Sequence, residues 1–222
     1  VTALRRRLAA AGRDQGITLV ELIVAMMILG IVLAVTSGTV LSLTRATSTA
    51  RTVDVNVRES SNGMNALAQT VRSAVDQQQP SAPDRPAFQA ASSEMFTVST
   101  SVNFADTQTK PVLVTYDLDA GRKLREVRTQ AVRLGTSYWQ FTGTSATRLL
   151  TAPVAASATK PLFAYLDKNK VVLTPGSTGR LDDAQLRRVA FVQVTLAIKS
   201  TTNAADNGVT LVNTIGTPNL PR

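Results

Sequence analysis

From Ile17 to Leu43 the chain reads ITLVELIVAMMILGIVLAVTSGTVLSL, and Glu21 is the sole charge in that run. As an α-helix it is long enough to cross a hydrocarbon layer of roughly 30 Å. It is apolar on every face, whereas a long soluble helix keeps a polar one, so the run predicts a membrane helix rather than a buried core helix. A cleaved secretory signal competes with this reading, because Arg5, Arg6 and Arg7 precede the run. Such a signal has about 7 to 15 apolar residues with a small-residue cleavage site behind them. This run is longer, and its distinctive local sequence lies in front of it. Arginines flank both ends (Arg5, Arg6, Arg7 and Arg13 before, Arg45, Arg51 and Arg58 after), so charge bias does little to orient the helix.

Composition narrows the chemistry. The 222 residues contain no cysteine and no histidine. That removes disulfide frameworks, thiol nucleophiles, Ser-His-Asp triads and zinc sites built on His or Cys. No catalytic residue, metal site or cofactor is expected, and the chain is not read as an enzyme. The length fits one domain plus something smaller. The net charge of +9 is partly a property of the first residues, where Arg5, Arg6, Arg7 and Arg13 face only Asp14. Val1 is compatible with a start codon read literally or with a fragment.

Glu21 separates a plain anchor from something more specific. A carboxylate inside a membrane helix costs about 2.5 to 3.5 kcal/mol on the insertion scale, and a purely structural anchor has no use for it. The competing reading is a carboxylate merely tolerated because, near the helix end, it snorkels to the interface. Its surroundings, Gly16-Ile17-Thr18-Leu19-Val20-Glu21-Leu22-Ile23-Val24-Ala25-Met26, resemble the cleavage and methylation motif of type IV prepilins and type II secretion pseudopilins. Ile17 stands where the family usually has Phe. The resemblance implies that a prepilin peptidase cuts between Gly16 and Ile17 and that Ile17 becomes the methylated N-terminus. It also implies that Glu21 pairs with the terminal amine of a neighbouring subunit during assembly.

Beyond Leu43 the apolar face narrows to Val53, Val57, Met64, Leu67, Val71 and Val75, with Ser60 in a gap, which predicts an amphipathic continuation of the same helix. Gly30, Gly38 and Gly63 are its weak points, each costing about 1 kcal/mol relative to Ala. Gln77 to Pro86 reads as a breaker and linker, after which the period changes to two. Strands are expected around Phe96 to Phe104, at Val112–Leu118, from Leu124 to Arg133 after an Asp119-Ala120-Gly121-Arg122 turn, and at Leu162–Leu166, Val171–Thr174, Val189–Lys199 and Val209–Ile215. Ala190, Val192, Val194, Leu196 and Ile198 share a face expected to pack on the helix. The organisation is therefore a leader over 1–16, a membrane-embedded half helix over 17–43, an amphipathic half over 44–79, and a linker with a β-rich head over 80–222. The fold class is α+β, a long N-terminal helix packed on an antiparallel sheet.

Within the head, Val114-Thr115-Tyr116-Asp117-Leu118-Asp119, Phe163-Ala164-Tyr165-Leu166-Asp167-Lys168-Asn169 and Leu186-Arg187-Arg188-Val189 resemble, in that order, the PilW or J-type group of minor pilins and pseudopilins. In that group Gly commonly follows the Asp-x-Asn element, where this chain has Lys170. The acidic pairs Asp117/Asp119 and Asp182/Asp183, and Asp167 with Asn169, read as turn residues rather than a calcium loop, since no further acid follows at the required spacing. Arg122, Lys123, Arg125 and Arg128, joined by Arg133 and by Arg187 and Arg188, form the candidate anion or DNA contact, with Tyr138-Trp139 as the exposed aromatic pair. Solvated edge-strand charges are the competing reading. The expected function is a structural minor pilin or pseudopilin subunit, with a DNA-binding minor pilin of a competence pilus as the alternative. Expected partners are other pilin subunits through the helix, the prepilin peptidase and membrane lipid. The resemblance implies a single pass in the cytoplasmic membrane, an exported head, and a cell-surface filament after assembly.

Overall fold

A computed structural model describes residues 17–80, 83–101, 110–135, 138–155, 160–198 and 209–220. One helix, α1 (Leu19–Arg72), opens the structure. The chain divides into two compact units, one up to Ala50 and one from Arg51 onward. In the first unit every residue from Ile17 to Ser48 is exposed, including Ile23, Met27, Leu33 and Leu41. The hydroxyls in this apolar stretch are hidden in a different way. Thr36, Thr39, Thr44 and Thr47 donate to the carbonyls of Val32, Val35, Val40 and Leu43 one turn back, at 2.8–2.9 Å. Each such bond removes a donor that hydrocarbon would otherwise leave unsatisfied.

In the second unit α1 is followed by β1 (Phe88–Ala91), β2 (Phe96–Thr100), β3 (Val112–Leu118), β4 (Leu124–Gln130), β5 (Val132–Leu134), β6 (Tyr138–Gln140), β7 (Ser145–Leu149), β8 (Phe163–Leu166), the short α2 (Asp183–Leu186), β9 (Phe191–Ile198) and β10 (Val209–Gly216). A five-stranded sheet runs β1-β2-β3-β4-β7, a three-stranded sheet runs β10-β9-β8, and β5 pairs with β6. All of these pairings are antiparallel. One core joins both sheets to the helix, whose Met64, Leu67, Ala68 and Val71 form a buried stripe. Phe96 of β2 meets Phe163 of β8 edge-on at 4.8 Å between ring centres and Tyr116 of β3 at 5.1 Å, so a chain of aromatics links the two sheets.

The α+β expectation and the face of β9 hold: Val192, Val194, Leu196 and Ile198 are buried in the core that contains the helix stripe. Ser60 does not interrupt that stripe, since it is itself buried. Other boundaries moved. The helix stops at Arg72 rather than near Val75, because Val75 N–H bonds to Ser99 O at 2.9 Å and Ala74 bridges to Thr100. The expected strand from Leu124 to Arg133 is two strands broken at Ala131, because Gln130 is held by Gly143 and Thr144 while Val132–Leu134 turns to pair with β6. No strand forms at Val171–Thr174, which meets β8 through the Leu166–Val172 bridge and the Leu173 N–H to Tyr165 O bond without a continuous ladder. Val102 and Phe104 lie outside the described residues. The strands β1, β6 and β7 had no counterpart in the sequence reading.

Two positions invert an expectation. Gly63 is not a weak point: a Cβ there would lie 2.6 Å from Leu150 O, whereas Gly30 and Gly38 have open space around them. Lys170 sits at φ +62°, the left-handed conformation that Gly adopts without cost. Asp167 accepts the backbone N–H groups of Asn169 and Val171 at 2.9 Å, so the turn forms without the glycine. Gly63→Ala should therefore destabilise the protein by about 1–3 kcal/mol despite the better helix propensity of Ala. Lys170→Gly should stabilise it by about 1 kcal/mol through release of left-handed strain. Thermal unfolding of the two variants in detergent, followed by circular dichroism, checks both directions.

Candidate functional site

At the start of α1, Thr18 is the capping residue. Its carbonyl accepts Leu22 N–H at 3.1 Å and its Oγ1 accepts Glu21 N–H at 3.3 Å. This is the side-chain half of a capping box, and the Thr-x-x-Glu spacing was the signal available for it in the sequence. Glu21 thereby occupies the first turn, where the helix dipole favours a carboxylate by about 0.3–1 kcal/mol and offsets part of its insertion cost. Ile17 precedes the cap and is exposed; Gly16 lies outside the described residues.

The basic cluster is divided by the alternation of β4. Arg125 faces one side and is held bidentately by Asp117 at 2.6–2.8 Å. Arg128 is on the other face with Glu126, at 2.6 Å. Arg122, in a left-handed turn position at φ +58°, donates to Glu94 and to Val154 O. Lys123 lines a groove with Glu59 and Arg148. Arg188 pairs with Asp167, and Arg187 donates to Asp84 O. Trp139 is half-buried, lies under the Arg133 guanidinium at 5.7 Å, and accepts Gln77 Nε2 on its carbonyl, so it is engaged rather than a free stacking platform. Asp119 accepts Lys123 N–H at 2.7 Å, and Asp182 caps α2 by accepting Gln185 N–H at 2.7 Å; both are turn or cap residues. Among the described residues no cluster of acids suits a metal.

The feature that sequence reasoning missed is Glu126, which is completely buried. Register places Tyr116 of β3, Glu126 of β4 and Arg148 of β7 in one cross-strand row. The Tyr116 hydroxyl lies 2.8 Å from Glu126 Oε2 and 2.9 Å from Thr70 Oγ1 on the helix. Its single proton is shared between these two acceptors, since Thr70 donates its own to Ala66 O at 3.1 Å. Arg128 Nε and Arg148 Nε both reach Glu126 Oε1, at 2.6 and 2.8 Å, and Arg148 Nη2 reaches Oε2 at 3.1 Å. Burial alone would raise the Glu126 carboxyl, but hydrogen bonds from Arg148, Arg128 and Tyr116 outweigh it and hold it below its ordinary value. Burial next to that carboxylate pushes the Tyr116 hydroxyl far up. The sequence signal was the placing of Glu126 on the same period-two face as Leu124.

A carboxyl depressed in the folded state stabilises above its ordinary range and loses that contribution as pH falls through the folded value. Glu126→Gln should therefore cost about 3 kcal/mol at pH 7, the scale of breaking a buried pair, and the gap to wild type should narrow below pH ~4. Urea unfolding of both proteins across pH 3–7 measures this.

No curated protein matches the chain. Residues 12–37 match the family described as the prokaryotic N-terminal methylation motif. Gly16, Ile17 and Glu21 all fall within that span, and the helix that follows is long and apolar enough to cross a membrane. The N-terminal segment of this chain thus carries the prokaryotic N-terminal methylation motif, typical of type IV pilins and pseudopilins.

Proposed function

We propose that the chain is a minor pilin or pseudopilin of the PilW or J-type group, cut after Gly16 by a prepilin peptidase and methylated on Ile17. It assembles through α1 into a type IV pilus or a type II secretion pseudopilus, with the head exported. The carrying observation is Glu21 capped into the first turn of an exposed apolar helix within the methylation motif. In a low-dielectric surround a carboxylate needs a countercharge, and the α-amine of a neighbour's Ile17 is a group of the right charge at the right depth. The one-to-one ion pairing of Arg122 with Glu94 and of Arg125 with Asp117 within the head favours a structural subunit over a DNA-binding one, since each of these arginines has a carboxylate that DNA would have to displace.

Intact-mass measurement of protein extracted from membranes containing a prepilin peptidase should find Ile17 first, with one added methyl group. Glu21→Val should insert and be cleaved normally but fail to enter sheared filaments, because stranding one partner of a buried pair costs about 3–5 kcal/mol. Normal incorporation of the variant would refute the pairing.

A further inference from the structure

We propose that the outer edge of β7 docks an extended acidic segment of a partner protein, which extends the five-stranded sheet and sets a carboxylate against Arg128 and Arg148. This goes beyond the N-terminal motif and does not depend on it.

β7 ends the sheet order, and the bonds Gln130 N–H to Thr144 O and Leu150 N–H to Leu124 O fix its hydrogen-bonding parity. With Arg148 opposite Glu126 and Ala146 opposite Arg128, those two residues bond to β4. Ser145, Thr147 and Leu149 then turn their N–H and C=O groups outward. All five residues of β7 are exposed, and among the described residues no bond to those outward groups occurs. The other edges differ. β1 carries a bulge between Phe88 and Ala90. The outer side of β8 is occupied by Leu173 N–H on Tyr165 O. β10 is an edge without charge, so nothing there selects a partner. An open strand edge is a template for a further strand.

Charge selects the occupant. Two guanidiniums share the single carboxylate of Glu126. Arg128 uses only Nε on it and Arg148 uses Nε and Nη2, leaving Nη groups of both unspent in that pairing. Their side chains are 33% and 53% exposed, and the buried carboxylate holds them in place. Arg148 also lines a groove of about 330 Å³ with Lys123, Leu149, Asn62 and Glu59, whose one negative charge offsets one of the groove's two cations in the charge count. One positive charge is left over, and a carboxylate on the added strand completes it with bidentate geometry. A second copy of β7 would bring a further arginine instead, and like charges across strands repel. Nucleic acid offers the charge but no amide backbone for the ladder.

The test uses the full chain in detergent micelles and a fluorescein-labelled decapeptide of alternating Thr and Glu, with a Thr/Lys decapeptide and a single-stranded oligonucleotide as comparisons. The Thr/Glu peptide should raise anisotropy and slow amide exchange at Ser145, Thr147 and Leu149. Thr147→Pro should weaken it at least tenfold without lowering the melting temperature, because that N–H lies outside the β4 ladder. Wild-type amide exchange needs no substitution and stands if the proline variant unfolds. Equal binding of the Thr/Lys peptide, unchanged binding in Thr147→Pro, unaltered exchange at the three amides, or displacement of the Thr/Glu peptide by the oligonucleotide would each overturn the proposal. So would self-association abolished by Thr147→Pro, which would assign the edge to a second copy.

Discussion

The constraint on which everything else rests is that α1 has two environments along one helix. From Met64 to Val71 its apolar stripe is covered by the head, whereas from Ile17 to Ser48 no residue is buried. Apolar surface on that scale is not stable in water. A helix satisfies its own backbone in lipid, and the back-bonded threonines extend that satisfaction to the side chains. Glu21 is the exception, placed where the cap and helix dipole reduce its cost.

The head solves a different problem: it holds one end of the helix against a sheet without any disulfide. The row Phe96, Tyr116, Glu126, Arg148 crosses four strands from core to edge and passes from aromatic to ionic. Tyr116 is the junction, ring against Phe96 and hydroxyl between Thr70 of α1 and Glu126 of β4. A hydrogen-bonded network of that kind ties one helical turn to one register of the sheet, because a shift of one residue would carry every member to the other face. Gly63 supports the same arrangement by allowing Leu150 O to approach the helix backbone.

The elements with strong periodicity were legible in the sequence. β9 alternates over its whole length, so it was found within two residues of its observed bounds, and the apolar run with one charge was found as helix. The turn at Lys170 was legible in its residues but not in its conformation, which Asp167 imposes through backbone bonds. The strands β1, β6 and β7 were not legible because they are short, and β7 is exposed throughout and shows no alternation. Glu126 escaped because a charge on a strand reads as solvent-facing unless the register is known. Its partner Arg148 lies on the strand that the sequence did not show. The arginines of β4 looked like one cluster for the same reason, since only pairing reveals that Asp117 and Glu126 receive them on opposite faces.

The most direct test of the two-environment helix uses the absence of native cysteine, which makes single nitroxide labels unambiguous. Labels placed one at a time at Val24, Ile28, Ile31, Val35, Leu41, Ser48 and Val55, with the full chain in lipid nanodiscs, report accessibility to oxygen and to a water-soluble nickel complex. High oxygen and low nickel accessibility from Val24 to Leu41, reversing by Ser48 and Val55, is the predicted result. Nickel accessibility from Val24 to Leu41 equal to that at Val55 would contradict it, because the apolar half of α1 would then lie in water.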